Sequence, residues 1–508
     1  MLDNVFNELI ESGATPSVSY LVSKDAEIFS NTLGYKTKYG LENNRIVEKE
    51  ELADSNTLYD IASLTKIVCT NTIIFRMIDQ KKIKLTDNVK KYLSDFKYED
   101  ITIYDLLNHI SGLVSDFSSK DIITKEEALE KLYASTRETK EFNYSCIGYM
   151  FLGLIIEKVY QKPLDEVFEF EVKLPLEMNN TCFNPKFKDN IAATEVTLNR
   201  RLVKGVVHDE KACSLNGVAG NAGLFSNTSD LYNFASMILN KGMFNGKRYL
   251  SEELIDMWLT KQTFNSKNNT DRSCTWVIGN NPNVILGNTQ TLSFSGFTGP
   301  SISVDLLNKV IIIMLTNRIH PSRDNRKNIL MRASISRKIY NCLKVDMLHL
   351  NKVFSSKNID FVNLSESLIR EYLEMVNDPE ISCYLSRNPK NYSFADEKKW
   401  VNDKLNTNAL CFSMMLKDTN DYIGNIELMD VDNSVELGIV ITKDQQDKHL
   451  GTEAIETILN YVFNHLKLTQ VNLKVFKNNL RAIHCYQKLG FKVTNELSDE
   501  IFMVKKLN

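Results

Sequence analysis

Residues 61–67 read IASLTKI, with Ser63 and Lys66 three positions apart in an otherwise apolar stretch. On a helix, residues i and i+3 share a face, so the hydroxyl and ammonium groups would meet. A serine hydroxyl becomes a nucleophile when a base removes its proton, and a lysine can do so if burial or nearby cations keep it partly neutral. The spacing alone does not decide the matter, because Ser94 and Lys97 in LSDFK repeat it without supporting context.

The size and charge of the chain narrow the classes of ligand. A chain of 508 residues is too long for one hydrophobic core, and roughly 150 residues per domain predicts two or three domains. The balance of 61 basic against 64 acidic residues gives no electrostatic reason to expect nucleic acid or an anionic membrane as a partner. Small molecules or peptide-like substrates are the expected ligands, and the oligomeric state stays open.

We expect a cytoplasmic protein without a membrane span. The first residues, MLDNVFNELIESG, lack the basic segment and long apolar run of a secretory signal, and their apolar positions follow amphipathic-helix spacing. No apolar stretch approaches the roughly 18 residues that a membrane span needs. The nine cysteines, an odd number without a CxxC pair or a histidine cluster, argue against a disulfide framework and predict no metal site.

Changes in pattern along the chain predict two α/β domains. Apolar strands are expected near the start (SVSYLV, 17–22) and again at 301–317, with a mainly helical middle between them and a closing helix at 325–343. Residues 344–357 lose this periodicity, and a new strand-then-helix pattern follows. We therefore predict a first domain at 1–343, a linker at 344–357 and a second domain at 358–508. In the first, strands far apart in sequence share one sheet, with a helical subdomain inserted.

Several stretches of the first domain resemble one family in both order and spacing. These are TLYDIASLTK, KKIKLTDNVKKYL, ITIYDLLNHISGL, YSCIGYMFLGLIIEKV and FSGFTGPSISVD, to which GVVHDEKA, VAGNAGLFS and LTNRIHP add a closer likeness to β-lactamase-related hydrolases. The family is that of the penicillin-recognising serine hydrolases, which includes class C β-lactamases, D-alanyl-D-alanine peptidases and related esterases. The resemblance covers residues 2–343 and implies a β-lactamase/transpeptidase-like sheet.

The resemblance implies an acyl-transfer site. Ser63 would be the nucleophile, Lys66 and Tyr144 would share proton transfer, and the backbone amides of Ser63 and Phe297 would hold the oxyanion. A tyrosine near a protonated lysine has its phenolate favoured, so this assignment is chemically reasonable, although Tyr144 as a core aromatic residue is the alternative. Phe297, Gly296, Ser295 and Cys146 would line the cleft.

The sequence departs from the family where the substrate would bind. Cys146 stands where relatives carry the last residue of YxN or YSD, and we interpret it as a small filler. Phe294, Ser295 and Gly296 replace KTG or HTG, so the cation that commonly meets a substrate carboxylate is missing. Two interpretations remain: an esterase or amidase for a different substrate, or a degenerate hydrolase that binds a ligand. We favour the active enzyme, with weak or absent β-lactamase activity.

Two stretches of the second domain resemble the GCN5-related N-acetyltransferases, here GNAT. They are QQDKHLGTEAI (445–455) and KNNLRAIHCYQKLGF (477–491), among expected strands at 410–416, 421–428, 434–441 and 471–476. In that family the first stretch places backbone N–H groups and a helix N-terminus under the pyrophosphate of acetyl-CoA. The implied cofactor-binding residues are Gln446, Asp447, Lys448, His449, Leu450, Gly451, Thr452 and Asn479.

The same resemblance implies roles for two further residues. Tyr486 would protonate the departing thiolate, since a phenol at the sulfur can supply that proton. Glu436, in VELGIV, would accept the proton of the amine, or it is a solvent-facing strand residue. His449 stands where the family has its first loop glycine, which predicts crowding of the phosphates or a strained backbone.

Together these features predict a bifunctional enzyme that uses acetyl-CoA as a co-substrate. The hydrolase would expose an amine, on a muropeptide fragment or another peptide-like molecule, and the transferase would acetylate it. Two alternatives stay open. The first domain is a ligand-binding module for an active acetyltransferase, or the second domain is purely structural.

Overall fold

The computed structural model describes residues 1–118, 124–138, 141–265, 270–279, 287–406, 410–431, 434–464, 466 and 468–506. The chain divides into two compact units, Met1–Met347 and Leu348–Asn508. None of the helices in the described ranges has both the length and the apolar character that crossing a membrane requires.

The helices and strands of the first unit occupy the following ranges. The helices are α1 Leu2–Glu11, α2 Thr72–Asp79, α3 Ile103–Leu107, α4 Lys125–Tyr133, α5 Cys146–Tyr160, α6 Leu164–Phe168, α7 Glu210–Ser214, α8 Thr228–Leu239, α9 Glu252–Leu259 and α10 Lys327–Leu343. The strands are β1 Ser17–Lys24, β2 Glu27–Glu42, β3 Arg45–Leu52, β4 Tyr59–Asp60, β5 Cys182–Phe183, β6 Val196–Thr197, β7 Arg201–Leu202, β8 Leu224–Ser226, β9 Met243–Phe244, β10 Lys247–Arg248, β11 Thr263–Asn265, β12 Thr270–Ser273, β13 Trp276–Ile278, β14 Thr291–Ser295, β15 Ser301–Asp305 and β16 Val310–Thr316.

Strands from the two ends of the first unit form one sheet. Its order is β11-β12-β13-β14-β15-β16-β1-β2-β3, and β1 pairs antiparallel with β16 from Val18↔Thr316 to Lys24↔Val310. Both strands are almost wholly buried, which explains the nearly continuous apolar sequence of β16. The prediction that distant strands share a sheet is confirmed.

The helical middle of the first unit packs around α5. This helix is apolar on nearly all sides, as expected for a helix enclosed by other elements, and Ile147, Phe151 and Ile155 are buried. Its N-terminus is capped by the Ser145 hydroxyl, which accepts a hydrogen bond from the Gly148 N–H group. Because Tyr144 directly precedes this cap, the packing of α5 fixes where Tyr144 lies.

The second unit is an eight-stranded sheet with helices. Its elements are β17 Lys352–Ser355, β18 Ile359–Asn363, α11 Ile369–Val376, α12 Pro379–Ser382, α13 Phe394–Leu405, β19 Leu410–Leu416, β20 Tyr422–Val431, β21 Ser434–Ile441, α14 Leu450–Asn464, β22 Gln470–Phe476, α15 Leu480–Lys488, β23 Lys492–Glu496 and β24 Glu500–Lys506. The sheet order is β17-β18-β19-β20-β21-β22-β24-β23. Residues 344–357, predicted as a linker, contain β17, which pairs with β18.

The middle of this sheet opens between β21 and β22. These two strands are parallel and pair at Val435↔Val471 and Glu436↔Asn472, after which they separate. The backbone of β21 from Leu437 to Ile441 therefore has no strand partner on that side within the described residues. Such an edge can receive an extended ligand through main-chain hydrogen bonds.

Candidate active sites

Ser63 lies in a tight turn between β4 and the following helical segment. Ala62, just before it, has φ +46°, a left-handed conformation that costs a residue with a side chain about 1–2 kcal/mol. The turn is held by the Asp60 carboxylate, which accepts the Ala62 N–H at 2.8 Å, and by the Leu64 N–H, which donates to Ile61 O at 3.0 Å. Ser63 is thus half-buried in the turn, directly before the helical residues that begin at Leu64.

Lys66 nevertheless reaches Ser63, as the spacing predicts. A π-helical segment, Lys66–Asn71, precedes α2, and Lys66 is fully buried. Its Nζ lies 3.0 Å from Ser63 Oγ, 3.1 Å from the carbonyl oxygen of Asn221 and 3.6 Å from Cys146 Sγ. Burial by itself lowers the pKa of Lys66, but the ionised forms of Cys146 and Tyr144 raise it more, so the net pKa lies above the ordinary value. Lys66 is therefore a cation at neutral pH.

Tyr144 is held beside Lys66 by a buried histidine. The Lys66 Nζ lies 5.1 Å from the Tyr144 ring centroid, and the His109 ring centroid lies 4.5 Å from it. His109 Nδ1 accepts the Ser145 N–H at 3.1 Å, so its Nε2 carries the hydrogen and donates to the Thr275 hydroxyl. Burial, followed by the positive charge of Lys66, lowers the pKa of His109 well below its usual value. His109 is a neutral support for the tyrosine.

The end of β14 brings a second backbone amide to the serine turn. A Cβ atom on Gly296 would lie 2.6 Å from the Ile61 carbonyl oxygen, so this close approach requires glycine. The Gly296 N–H donates to Pro300 O at 2.8 Å. Among the described residues, the N–H groups of Ser63 and Phe297 make no hydrogen bond. Two unpaired donors beside a nucleophile can stabilise an oxyanion.

The Asp60 side chain connects the serine turn to the surrounding loops. Besides Ala62, its carboxylate accepts the His208 N–H at 2.7 Å, and its carbonyl oxygen accepts the Thr298 hydroxyl at 2.7 Å. The His208 ring stacks on the Phe297 ring with centroids 5.7 Å apart. Burial raises the pKa of Asp60. This network sets the position of Ser63 relative to the Phe297 amide.

Glu195 supports His208 from behind and predicts a pH effect on stability. It is 5% exposed, accepts the His208 Nε2 hydrogen at 2.9 Å, and pairs with Arg323 at 2.6 Å. Burial raises the pKa of Glu195, but the hydrogen bonds from His208 and Arg323 outweigh burial and lower it to about 2. Because the folded pKa is below the unfolded value of 4.5, the stabilisation is complete above pH 4.5 and is lost as the pH falls toward 2.

We therefore expect Glu195→Gln to lower the unfolding free energy at pH 7 by about 1–3 kcal/mol. The difference from wild type should shrink below pH 4.5, as measured by urea unfolding of the whole chain at several pH values. Glu99→Gln is the matched control, since Glu99 pairs with Lys90 but is 82% exposed. A difference that grows as the pH falls would contradict the assignment.

The residues predicted to line the substrate cleft, apart from the exposed Phe297, are buried or half-buried in the first unit. Phe294 is 4% exposed and packs in the core of the first unit, so the β14 position that carries a cation in relatives faces away from solvent. Ser295 and Cys146 are half-buried, and Cys146 contacts Lys66. Ser63, Lys66, Tyr144, Gly296 and the Phe297 amide thus belong to one site.

A cavity of about 970 Å³ opens in the second unit. Tyr486 lines it together with most of the predicted cofactor-binding residues: Gln446, Asp447, His449, Gly451, Thr452 and Asn479. The other two predicted residues of this loop, Lys448 and Leu450, are outside the lining. Glu436 lies outside the lining, and its carboxylate is 3.2 Å from the Lys474 Nζ.

The loop before α14 has the shape that a pyrophosphate requires. Asp447 and His449 have φ values of +60° and +62°, and left-handed residues in such a loop can turn successive N–H groups inward. Within the described part of the chain, the N–H groups of Leu450, Gly451 and Thr452 have no partner. They open a helix of 15 residues, whose dipole favours an anion at this end. The residues present therefore fit the phosphates of acetyl-CoA.

His449 takes up the left-handed conformation that the family's glycine would adopt freely. Its exposed imidazole lines the cavity where phosphates would approach. We expect His449→Gly to tighten acetyl-CoA binding by about 3- to 10-fold, because the substitution relieves the strain and clears the path to the amides. Calorimetric titration with acetyl-CoA measures the change, and His484→Gly, at another histidine of the cavity lining, is the comparison. Weaker binding by His449→Gly would mean that the imidazole itself contacts the phosphates.

Tyr486 and Asn479 approach the cavity from α15. Tyr486 is 8% exposed, and burial, followed by the nearby Cys485, raises the pKa of its phenol. The phenol is therefore protonated at neutral pH, and its hydroxyl makes no hydrogen bond to any described residue. Asn479 Oδ1 accepts the Ala482 N–H at 3.2 Å and so caps α15, which leaves its amide hydrogens for a ligand.

Sequence patterns missed several residues around both sites. Asp60, three residues before Ser63, is one that a local pattern could have found. Glu195 and Arg323 are 128 positions apart in sequence and meet only in the folded chain. Glu427 lines the cavity of the second unit, and the register of β20 is needed to identify it.

Comparison with known proteins identifies a family for each of the two units. A family model described as beta-lactamase matches residues 2–335, and a model described as acetyltransferase (GNAT) domain matches residues 359–492. A Salmonella agona (strain SL483) protein named as a D-alanyl-D-alanine carboxypeptidase is 31% identical over 369 residues, which cover 64% of this chain and 84% of that protein.

Solved structures show the same fold. EstCE1, described as a hydrolase with promiscuous acyltransferase activity, aligns with a TM-score of 0.51 at 20% identity, over 65% of this chain and 97% of its own. An octameric penicillin-binding protein homologue from Pyrococcus abyssi aligns with a TM-score of 0.53 at 17% identity, over 87% of this chain and 98% of its own. The chain belongs to the beta-lactamase family and carries an acetyltransferase (GNAT) domain over residues 359–492.

Proposed function

We propose that the chain is a bifunctional enzyme with a serine acyl hydrolase in residues 1–343 and an acetyl-CoA-dependent N-acetyltransferase in residues 358–508. The observation that carries the first activity is the 3.0 Å contact between Lys66 Nζ and Ser63 Oγ, beside Tyr144 and two unpaired amides. In the second activity, acetyl-CoA is the co-substrate, and the loop amides and Tyr486 support it.

In the proposed hydrolase reaction, Tyr144 acts as the general base and Lys66 as its cationic partner. Tyr144 takes the Ser63 proton while Ser63 Oγ forms a bond to the acyl carbon, and the amides of Ser63 and Phe297 bind the oxyanion. The bond to the leaving group then breaks, and Tyr144 returns the proton to that group. In the second half of the reaction, water attacks the acyl carbon and gives its proton to Tyr144. The bond from the acyl carbon to Ser63 Oγ breaks, and Tyr144 returns the proton to Oγ, while Lys66 remains the cationic partner of Tyr144.

The proposed substrate is an ester or amide in a peptide-like molecule. The relative named as a D-alanyl-D-alanine carboxypeptidase supports a peptide with D-amino acids. Phe294, buried where relatives carry a cation, favours a substrate without a carboxylate at that point. We propose that hydrolysis exposes an amine, as on a muropeptide fragment, which the second unit then acetylates.

The second candidate is a hydrolase unit that binds its ligand without turnover. Phe294 in the core and Cys146 in place of a polar side chain favour it, because both remove groups that orient substrate.

A substrate panel separates these functions. We would measure turnover of activated esters, D-amino-acid amides and nitrocefin, together with acetyl-CoA binding by calorimetry. The proposal expects turnover of esters or amides, little hydrolysis of nitrocefin and tight acetyl-CoA binding. Ligand binding without any turnover would favour the binding module. Ready nitrocefin hydrolysis would contradict the interpretation that Phe294 disfavours β-lactam substrates. A chain that binds no acetyl-CoA would have a purely structural second unit.

A further inference from the structure

Glu427 is the carboxylate of the central strands that faces the cavity of the second unit. It lies on β20, lines the cavity, and its Oε2 is 2.6 Å from Lys404 Nζ on α13. Glu436, on β21, is bound by Lys474 outside the lining. A group that accepts a proton from a bound amine must touch that amine, which favours Glu427 by position.

The space beside Glu427 is created by a glycine. Glu427 pairs across the ladder with Gly438, and a Cβ atom on Gly438 would lie 3.2 Å from Glu427 Cγ. Gly438 belongs to the part of β21 that has separated from β22. The Glu427 side chain therefore leans over the strand edge that is open to an extended ligand such as the acyl arm of acetyl-CoA.

Two further hydrogen-bond acceptors face the cavity without partners. Glu397, on α13, is 6% exposed and lines the cavity, and its carboxyl group makes no hydrogen bond or ion pair with any described residue. Asn425 also lines the cavity, and its Oδ1 is buried without a partner in the described chain. Unpaired buried acceptors are costly, so a ligand that donates hydrogen bonds is the expected complement.

The charge and the aromatic lining suit a cation. Burial, followed by the nearby Asp396, raises the pKa of Glu397, and an incoming cation would favour its charged form. Tyr384, Tyr392 and Trp400 line the same cavity, and aromatic faces attract ammonium groups. Asn425 and Glu427 share a face of β20 two positions apart, which sets their side chains about 7 Å apart. Two nitrogen groups at that separation would engage both.

Resting on the proposed acetyltransferase activity, we propose that Glu427, Asn425 and Glu397 form a subsite for an acceptor with two amine groups. Glu427 accepts the proton of the attacking nitrogen, and Asn425 and Glu397 hold the second, charged nitrogen. The attacking nitrogen, after losing one proton to solvent, forms the C–N bond to the acetyl carbon and passes its next proton to Glu427. The C–S bond breaks with its electron pair left on sulfur, Tyr486 gives sulfur a proton, and Glu427 returns its proton to Tyr486 through solvent.

The test compares two amines of matched length on the full chain. Acetylation of 1,5-diaminopentane and of n-pentylamine is followed by thiol release from acetyl-CoA, and binding of each amine to the CoA complex is measured by calorimetry. We expect the diamine to be preferred by about 10-fold or more, as for one charged hydrogen-bonding contact. Glu397→Gln should remove most of this preference, because it removes an acceptor for the second nitrogen of the diamine.

Glu427→Gln should lower kcat for both amines by about 100-fold, within the range for loss of a general base, and leave the acetyl-CoA affinity unchanged. Glu380→Gln is the matched control, because Glu380 also pairs with a lysine but is 68% exposed and lies outside the lining. Thermal unfolding of each variant shows whether it is folded.

Three outcomes would overturn the subsite. They are equal use of both amines, normal turnover by folded Glu427→Gln, and loss of turnover in Glu436→Gln but not in Glu427→Gln. In each case wild-type acetylation of an amine would still stand, so the proposed acetyltransferase would survive. A wild-type chain that binds acetyl-CoA but acetylates neither amine, with no diamine binding to the CoA complex, would also reject the subsite. Failure to bind acetyl-CoA would reject the transferase itself.

Discussion

Replacing Ser63 by alanine is expected to abolish acylation of the first unit and to lower ester turnover by about 1,000-fold or more. The variant removes the Oγ atom that lies 3.0 Å from the Lys66 ammonium group and leaves the turn, the two amides and the buried lysine in place. Intact-mass spectrometry after incubation with an activated ester measures the covalent adduct directly. Wild type should gain one acyl group, and Ser63→Ala none.

Ser94→Ala provides a matched control within the same chain. Ser94 has the same spacing to Lys97, but it is exposed, and its hydroxyl donates to Asp95 at 3.3 Å. This variant should be acylated as fully as wild type. An adduct that persists in Ser63→Ala would assign the chemistry to another nucleophile, and a wild-type chain that never forms an adduct would favour the ligand-binding module.

Replacing Tyr486 by phenylalanine is expected to lower kcat for acetyl transfer by about 100- to 1,000-fold, within the range for loss of a general acid. The ring remains to pack against Phe491, whose centroid is 5.9 Å away, so the fold and the acetyl-CoA affinity should not change. Because burial raises the pKa of this phenol, wild type should keep its proton donor throughout the neutral range. Steady-state kinetics with n-pentylamine and calorimetry with acetyl-CoA separate the two effects.

Tyr461→Phe serves as the comparison for Tyr486→Phe. Tyr461 is on α14, where it stacks on Phe354 at 5.1 Å and lies outside the cavity lining. Its variant should turn over within about twofold of wild type, since it keeps the stacked ring and removes a hydroxyl outside the cavity lining. If Tyr486→Phe lost affinity for acetyl-CoA instead of kcat, the tyrosine would be a binding residue and the sulfur would receive its proton from elsewhere.

Local patterns were sufficient to predict the shared sheet of the first unit and the contact between Ser63 and Lys66, whereas the fold families came from the resemblance. The apolar runs that became β1 and β16 predicted buried strands, and the spacing of Ser63 and Lys66 predicted their contact. Ser63 itself lies in a turn directly before the helical residues, because Ala62 turns the chain with a left-handed φ. The contact survives because a tight turn and a helix both bring residues i and i+3 together.

The supports of the two sites depend on tertiary contacts that no local pattern contains. Asp60 meets His208 and Thr298 across 148 and 238 positions of sequence. In the second unit, the motif drew attention to Glu436, whereas the cavity receives Glu427 because Gly438 leaves room across the ladder. Which strand residue faces a cavity follows from register, and register is set by the whole sheet.

The separation of β21 from β22 also means that amide hydrogen exchange along β21 can reveal whether a ligand is bound at this edge. Amide hydrogens on the free side of β21, between Leu437 and Ile441, have no strand to shield them and should exchange quickly with deuterated solvent. A ligand that runs along this edge would slow that exchange in a short, contiguous peptide. The sheet could thus show that the co-substrate has entered, and how far along the strand it reaches, before any chemistry takes place.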